Sequence, residues 1–110
     1  MSRSPTKSSG VETITITARN TISNTDFKKK LSSANESRVQ WVNRSNTPRI
    51  ITFVAAWPFY GLQATIYVPQ NGSSDIFTVN SSQPKMTYYY TLSPQASGPP
   101  DGPAVIVNGG

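Results

Sequence analysis

The sequence predicts an all-β protein, one sandwich domain of about seven or eight short strands. Three observations carry that reading. Short runs in which apolar and polar side chains alternate recur along the chain, the period-2 signature of half-buried strands. Clusters of Pro, Gly, Asn and Ser separate the runs, and most of the nine prolines fall between them, where a missing ladder donor does no harm. A length of 110 residues suits a single core.

Residues 1–10 mix Ser, Pro, Lys and Gly with no apolar side chain after Met1, and read as a flexible basic tail, leaving residues 11–108 for the domain. Residues 11–18 alternate, with Ile14, Ile16 and Ala18 on one side and Thr13, Thr15 and Thr17 on the other. Between Ile22 and Asn35 the pattern weakens. Phe27 and Leu31 would suit one helical turn, whereas the flanking Asn and Ser favour a loop or a short, irregular edge strand. Residues 38–43 resume alternation, Val39 and Trp41 facing opposite to Gln40 and Val42. Residues 43–48 have turn composition, and residues 49–54 read as the hairpin partner of the strand before. Residues 62–68, 75–79, 86–92 and 104–107 supply the remaining strands, separated by turn-rich segments at 69–72, 80–82 and 97–103.

Composition bounds the function. Leu, Ile, Val and Phe number 23, a lean aliphatic supply, while four Phe, five Tyr and two Trp provide the bulk a small core needs. The longest apolar stretch, residues 50–62, is broken by Thr52, Pro58 and Gly61 and is too short for a membrane-spanning helix. Residues 1–10 lack the apolar region of a secretory leader, so the expectation is a cytoplasmic protein by default, or an exported one if a leader has been removed. Nine of the ten Lys and Arg lie in residues 1–49 against three carboxylates; beyond them stand Lys85, Asp75 and Asp101. The first part is therefore +6 and the rest −1, which sums to the net charge of +5. Such a balance keeps a Tyr-rich domain soluble, or marks an anionic partner.

With no histidine and no cysteine, the common general base, thiol nucleophile and zinc-thiolate sites are absent. The five carboxylates are scattered singly, and no nucleophile elbow, S-x-x-K or phosphate-binding glycine motif occurs. No catalytic residue is nominated, and the expectation is a protein that is not an enzyme and carries no cofactor. Four Asn-x-Ser triplets, at Asn35, Asn43, Asn71 and Asn80, are what so much Asn and Ser yields by chance.

The segment Val39-Gln-Trp-Val-Asn-Arg-Ser-Asn-Thr-Pro-Arg-Ile-Ile-Thr-Phe53 resembles a hairpin of the cupredoxins, the plastocyanin and azurin type of Greek-key sandwich. Thr87-Tyr-Tyr-Tyr-Thr-Leu-Ser-Pro94, a Pro/Gly loop and Pro103-Ala-Val-Ile-Val107 are similar to that family's aromatic strand, ligand loop and last strand. The resemblance implies a cupredoxin-like fold over residues 11–108. It also implies that copper-ligand positions are held by Arg49, Thr91 and Pro94, so the ligands are lost. A blue-copper centre needs one thiolate and two imidazoles, and Arg49 is a cation that only donates.

Two surfaces remain as candidates. Trp57, Phe59 and Tyr60 surround Pro58 after a strand; either they fold back as a lid on the lean core, or with Arg49 they form an exposed anchor patch for a protein partner or a second copy. In the family an apolar surface near the metal end docks redox partners, so the resemblance implies that Arg49, Trp57 and residues 93–100 cluster there. The second surface is basic: Lys28, Lys29, Lys30, Arg38 and Arg44. A solvated face explains these cations; the alternative is a nucleic-acid-binding module in which Tyr88, Tyr89 or Tyr90 stacks bases. Tyr88 and Tyr90 share one face of their strand and Tyr89 the other, and only one face belongs to the core.

Overall fold

In the computed structural model, which describes residues 10–19, 21–61, 63–93 and 102–109, eight strands form two sheets. They are β1 (Val11–Ile16), β2 (Lys28–Ser32), β3 (Arg38–Asn43), β4 (Arg49–Phe53), β5 (Thr65–Val68), β6 (Phe77–Thr78), β7 (Thr87–Ser93) and β8 (Ala104–Asn108). One sheet has the order β1-β3-β6 and the other β2-β8-β7-β4-β5. β1 and β3 run parallel, as do β2 and β8, and the other neighbours are antiparallel. Most of the expected tail, residues 1–9, lies outside the described residues.

The alternation read from the sequence sets which side chains point inward. Ile14 and Ile16 of β1, Val39 and Trp41 of β3, Ile51 and Phe53 of β4, Ile66 and Val68 of β5, Tyr88 and Tyr90 of β7, and Val105 and Val107 of β8 are all buried in one core. Trp41 stands at its centre. Its ring meets Phe53, Phe59, Phe77 and Tyr90 edge to face at centroid separations of 6.2, 6.2, 6.4 and 5.6 Å, and its indole N–H faces the Tyr90 hydroxyl at 3.4 Å. Edge-to-face contacts match the positive rim of one ring to the negative face of another. Burial pushes the Tyr90 hydroxyl pKa well above its ordinary range.

Between Ile22 and Asn35 the short edge strand expected there is β2, preceded by a single 3₁₀ turn, Asn24–Asp26. Three expectations are corrected. Strand β1 stops at Ile16, and Ala18 is exposed, because Thr17 folds the chain back: its N–H donates to the Thr21 carbonyl at 2.7 Å. The residues 43–48 turn does not close a hairpin, since β3 and β4 belong to different sheets. It is the corner where the chain crosses the sandwich, and residues 38–53 therefore make a Greek-key connection. Finally, the strand expected at 75–79 shrinks to Phe77–Thr78; just before it the Ser74 hydroxyl accepts from the Trp41 backbone N–H at 3.0 Å and donates to the Asp75 carbonyl at 2.6 Å.

The segment after β4 joins the core. Phe59 is 1% exposed and bridges to Val79, and Trp57 packs edge to face on Phe53, Phe59 and Phe77 at 5.5, 5.2 and 5.6 Å. Tyr60 points outward, with its hydroxyl donating to the Glu36 carboxylate. Phe59→Ala is therefore expected to cost about 3–5 kcal/mol of folding stability, and Tyr60→Ala under about 1 kcal/mol, both measured by urea denaturation.

Candidate functional site

The end of the sandwich that carries Arg49 is organised by Asn43. Asn43 is the last residue of β3 and is buried. Its Nδ2 donates to the carbonyls of Thr47 and Val68 at 2.8 and 3.3 Å, and its Oδ1 accepts from the backbone N–H and hydroxyl of Ser45 at 2.8 and 2.7 Å. One amide thus fixes the 43–47 corner and ties it to β5 in the opposite sheet. Beyond that corner β4 begins with Arg49, which pairs with Val68 and is only 3% exposed. Burial lowers its guanidinium pKa from the ordinary value, yet arginine keeps its charge under ordinary conditions.

Thr91 does not converge with Arg49. Thr91 is opposite Thr52 in the β4–β7 register and is exposed, whereas Arg49 lies an odd number of residues from Thr52 and points to the core side. The two side chains sit on opposite faces of the same sheet. The core-facing position at the end of β7 is Leu92, opposite Ile51 and packed against the core. Alternation corrects the assignment by one residue: a ligand sharing a centre with position 49 would stand at 92. Pro94 and most of the 93–100 loop lie outside the described residues.

The aromatic segment gives less exposed surface than an anchor patch requires. Of Arg49, Trp57, Phe59 and Tyr60, Arg49 and Phe59 are buried and Trp57 is partly buried against the core. Tyr60 is exposed, but its hydroxyl is held by Glu36. The lid reading is the one the geometry matches, because the connection supplies two rings that the sheets themselves lack.

Exposed apolar surface lies elsewhere. On the outer face of the five-stranded sheet, Ile50 and Val54 flank β4, Tyr67 stands on β5 and Tyr89 on β7, with Val54 65% and Tyr67 61% exposed. The outer face of the three-stranded sheet is different: Thr13, Thr15, Arg38, Gln40 and Thr78 dominate it. Ile50 and Tyr67 are direct neighbours across the β4–β5 ladder, in a pair whose side chains approach closely. Sequence reading passed over this face because alternation marks the two sides of a strand without saying that both are apolar.

The five basic residues do not form one surface. Lys28 and Lys30 share the outer face of β2, and the Lys28 ammonium lies 5.6 Å from the Tyr89 ring, 4.5 Å from the Phe27 ring and 3.2 Å from the Gly102 carbonyl. Lys29 turns the other way and pairs with Glu12 at 3.4 Å and Asp26 at 3.5 Å. Asp26 is itself buried and accepts from the Thr15 N–H at 2.9 Å, so this ion pair links β1 of one sheet to β2 of the other. Arg38 and Arg44 belong to β3 and the corner after it, in the opposite sheet. Tyr88 and Tyr90 are core residues, leaving Tyr89 as the exposed ring of the three.

No family model matches this chain, and no curated protein matches it. Solved structures do. A proline-to-glycine variant of amicyanin in its reduced Cu(I) form aligns with a TM-score of 0.61 at 19% identity, over 92% of this chain and 85% of that one. A methionine-to-alanine variant of amicyanin with Cu(I) gives 0.62 at 20% identity over the same shares, and an oxidised methionine-to-lysine variant gives 0.58 at 20% over the same shares. The likeness shows a cupredoxin-like fold. The donors here do not fit copper: position 49 is a guanidinium, the core-facing position near the end of β7 is an aliphatic side chain, and the chain has neither imidazole nor thiol. Among the described residues no group of three His, Cys, Asp or Glu side chains stands together.

What holds this end together is therefore the Asn43 network. Asn43→Ala strands the Ser45 and backbone groups it serves, and is expected to cost about 2–4 kcal/mol, read as a lowered denaturation midpoint with unchanged slope.

Proposed function

We propose that this chain is a non-catalytic, copper-free cupredoxin-like domain that acts as a protein-interaction or self-assembly module, making contact through the outer face of its five-stranded sheet. The observation that carries this reading is the outer face of the five-stranded sheet, where four large apolar side chains, Ile50, Val54, Tyr67 and Tyr89, are exposed around the Thr52, Thr65 and Thr91 row, against Ile76 beside the smaller sheet. Exposed apolar side chains gathered on one face mark contact surfaces, and Tyr in particular offers a large ring with a polar tip at low entropic cost. The composition supports the non-catalytic part. Asp26 is engaged with Lys29 and Thr15, and Glu36 with Tyr60, so these carboxylates are committed to structure.

A second reading has one observation in its favour: Lys28 lies beside Tyr89, with Lys30 farther along the same face of β2, a stacking ring beside a cation that suits a single-stranded nucleic acid. Against it, Lys29, Arg38 and Arg44 point elsewhere, which leaves too short a cationic track for tight backbone binding.

Sedimentation velocity over a concentration series separates the readings. The protein-contact reading expects the sedimentation coefficient to rise with concentration, and a Tyr67→Ser/Tyr89→Ser double variant to lose that rise while Trp57→Phe keeps it. A wild-type monomer at every concentration contradicts self-assembly. Oligonucleotide binding that weakens steeply with salt and with Lys28→Gln/Lys30→Gln would favour the second reading instead.

A further inference from the structure

We infer that the partner is a second copy of the same chain, and that the two copies join edge to edge, β5 against β5 at the margin of this face, into one continuous antiparallel sheet that carries the outer faces of both. The inference rests on the docking reading above and names its occupant.

The register shows which backbone groups are available. Phe53 N–H donates to the Ala64 carbonyl at 3.0 Å, so residues 53 and 64 form a hydrogen-bonded pair, and by alternation so do 51 and 66, and 49 and 68. Thr65 and Tyr67, between them, direct their N–H and C=O groups away from β4. β5 ends the sheet order, so those groups face the open edge. The Thr65 carbonyl already accepts from Gln63 Nε2 at 2.9 Å. A two-fold axis at Tyr67 would pair Tyr67 with itself, giving two N–H to C=O bonds, and would set Thr65 opposite the other copy's residue 69. Pro69 has no N–H to offer there, and the Thr65 carbonyl needs none. Each Thr65 N–H would share the facing Pro69 carbonyl with the Gly72 N–H, which donates to it at 3.1 Å. The pattern is self-complementary at its centre, the Tyr67 pair.

Charge selects the same edge. The opposite margin of this sheet is β2, which carries Lys28, Lys29 and Lys30, and lysines on an edge strand discourage pairing. β5 reads Thr-Ile-Tyr-Val and holds no charge or proline. Charged groups beside it are Arg49, buried on the neighbouring strand, Asp75, which lines the groove of about 350 Å³ beside Ile66, Tyr67 and Phe77, and Arg44, next to the Ser45 carbonyl that accepts from Asn71 after β5. The lysine margin is four strand spacings from β5, about 19 Å, beyond the roughly 8 Å screening length of physiological salt. Two copies with a net charge of +5 therefore meet away from the lysine margin. Joining there also aligns Ile50 and Tyr67 of both copies on one outer face.

Two variants test the edge pairing apart from the apolar face. The native chain has no cysteine, so Tyr67→Cys gives one thiol per copy at the proposed axis. A hydrogen-bonded pair holds its Cα atoms about 5.5 Å apart, within disulfide range. In glutathione redox buffer Tyr67→Cys should form a disulfide dimer at least about tenfold faster than Tyr89→Cys, which shares the face but not the edge. Thr65→Pro removes an edge N–H without touching a β4 bond, and should raise the dimer dissociation constant about tenfold or more, with a denaturation midpoint unchanged at dilutions where both proteins are monomeric. If wild type self-associates, the double tyrosine variant does not, and both edge variants behave as their controls, the apolar face stands and the edge pairing falls. A wild-type monomer at every concentration overturns both.

Discussion

The fold depends on six aromatic rings packed edge to face between two sheets. Trp41 and Phe77 come from the three-stranded sheet, Phe53 and Tyr90 from the five-stranded sheet, and Trp57 and Phe59 from the connection after β4. A chain this poor in aliphatic residues has little else to fill the space where the sheets face one another. Each edge-to-face pair adds about 0.5–1.5 kcal/mol beyond area burial, and ten such or tilted contacts share the six rings, so the cluster behaves as one packed unit. Its needs explain why Trp57 and Phe59 turn inward instead of serving a partner.

Much of this was legible in the chain. Alternation separated the two faces of β1, β3 and β7, because a half-buried strand cannot conceal its period. β2 was harder to see: its inward pair is Lys29 and Leu31, and a lysine reads as solvent-facing until Glu12 and Asp26 arrive from other elements to neutralise it. The corner at residues 43–48 was read as a hairpin because both kinds of turn draw on the same residues. What decides between them is where the Asn43 amide sends its hydrogen bonds, and one of its acceptors, the Val68 carbonyl, is 25 residues away.

The candidate surface was less legible than the fold. Local sequence identifies large apolar residues but does not say which of two faces a second sheet will cover. Ile50 and Ile51 are identical side chains one residue apart, and only the packing makes one exposed and the other buried. The same ambiguity hid that Leu92, and not Thr91, shares the core-facing side with Arg49. Taken with the amicyanin-like fold, Arg49, Leu92 and the Asn43 network describe a cupredoxin-like sandwich closed at that end by packing and hydrogen bonds, with Ile50, Val54, Tyr67 and Tyr89 exposed on the outer face of the larger sheet.

A concentration series of two-dimensional amide NMR spectra tests that picture most directly, since it reports the contact residue by residue. Resonances of Ile50, Val54, Tyr67 and Tyr89 should move together as the protein is concentrated, while the Trp41 and Trp57 indole signals stay fixed. Movement confined to Trp57 and its neighbours would mean that the aromatic lid, and not the outer face, is where this protein meets its partner.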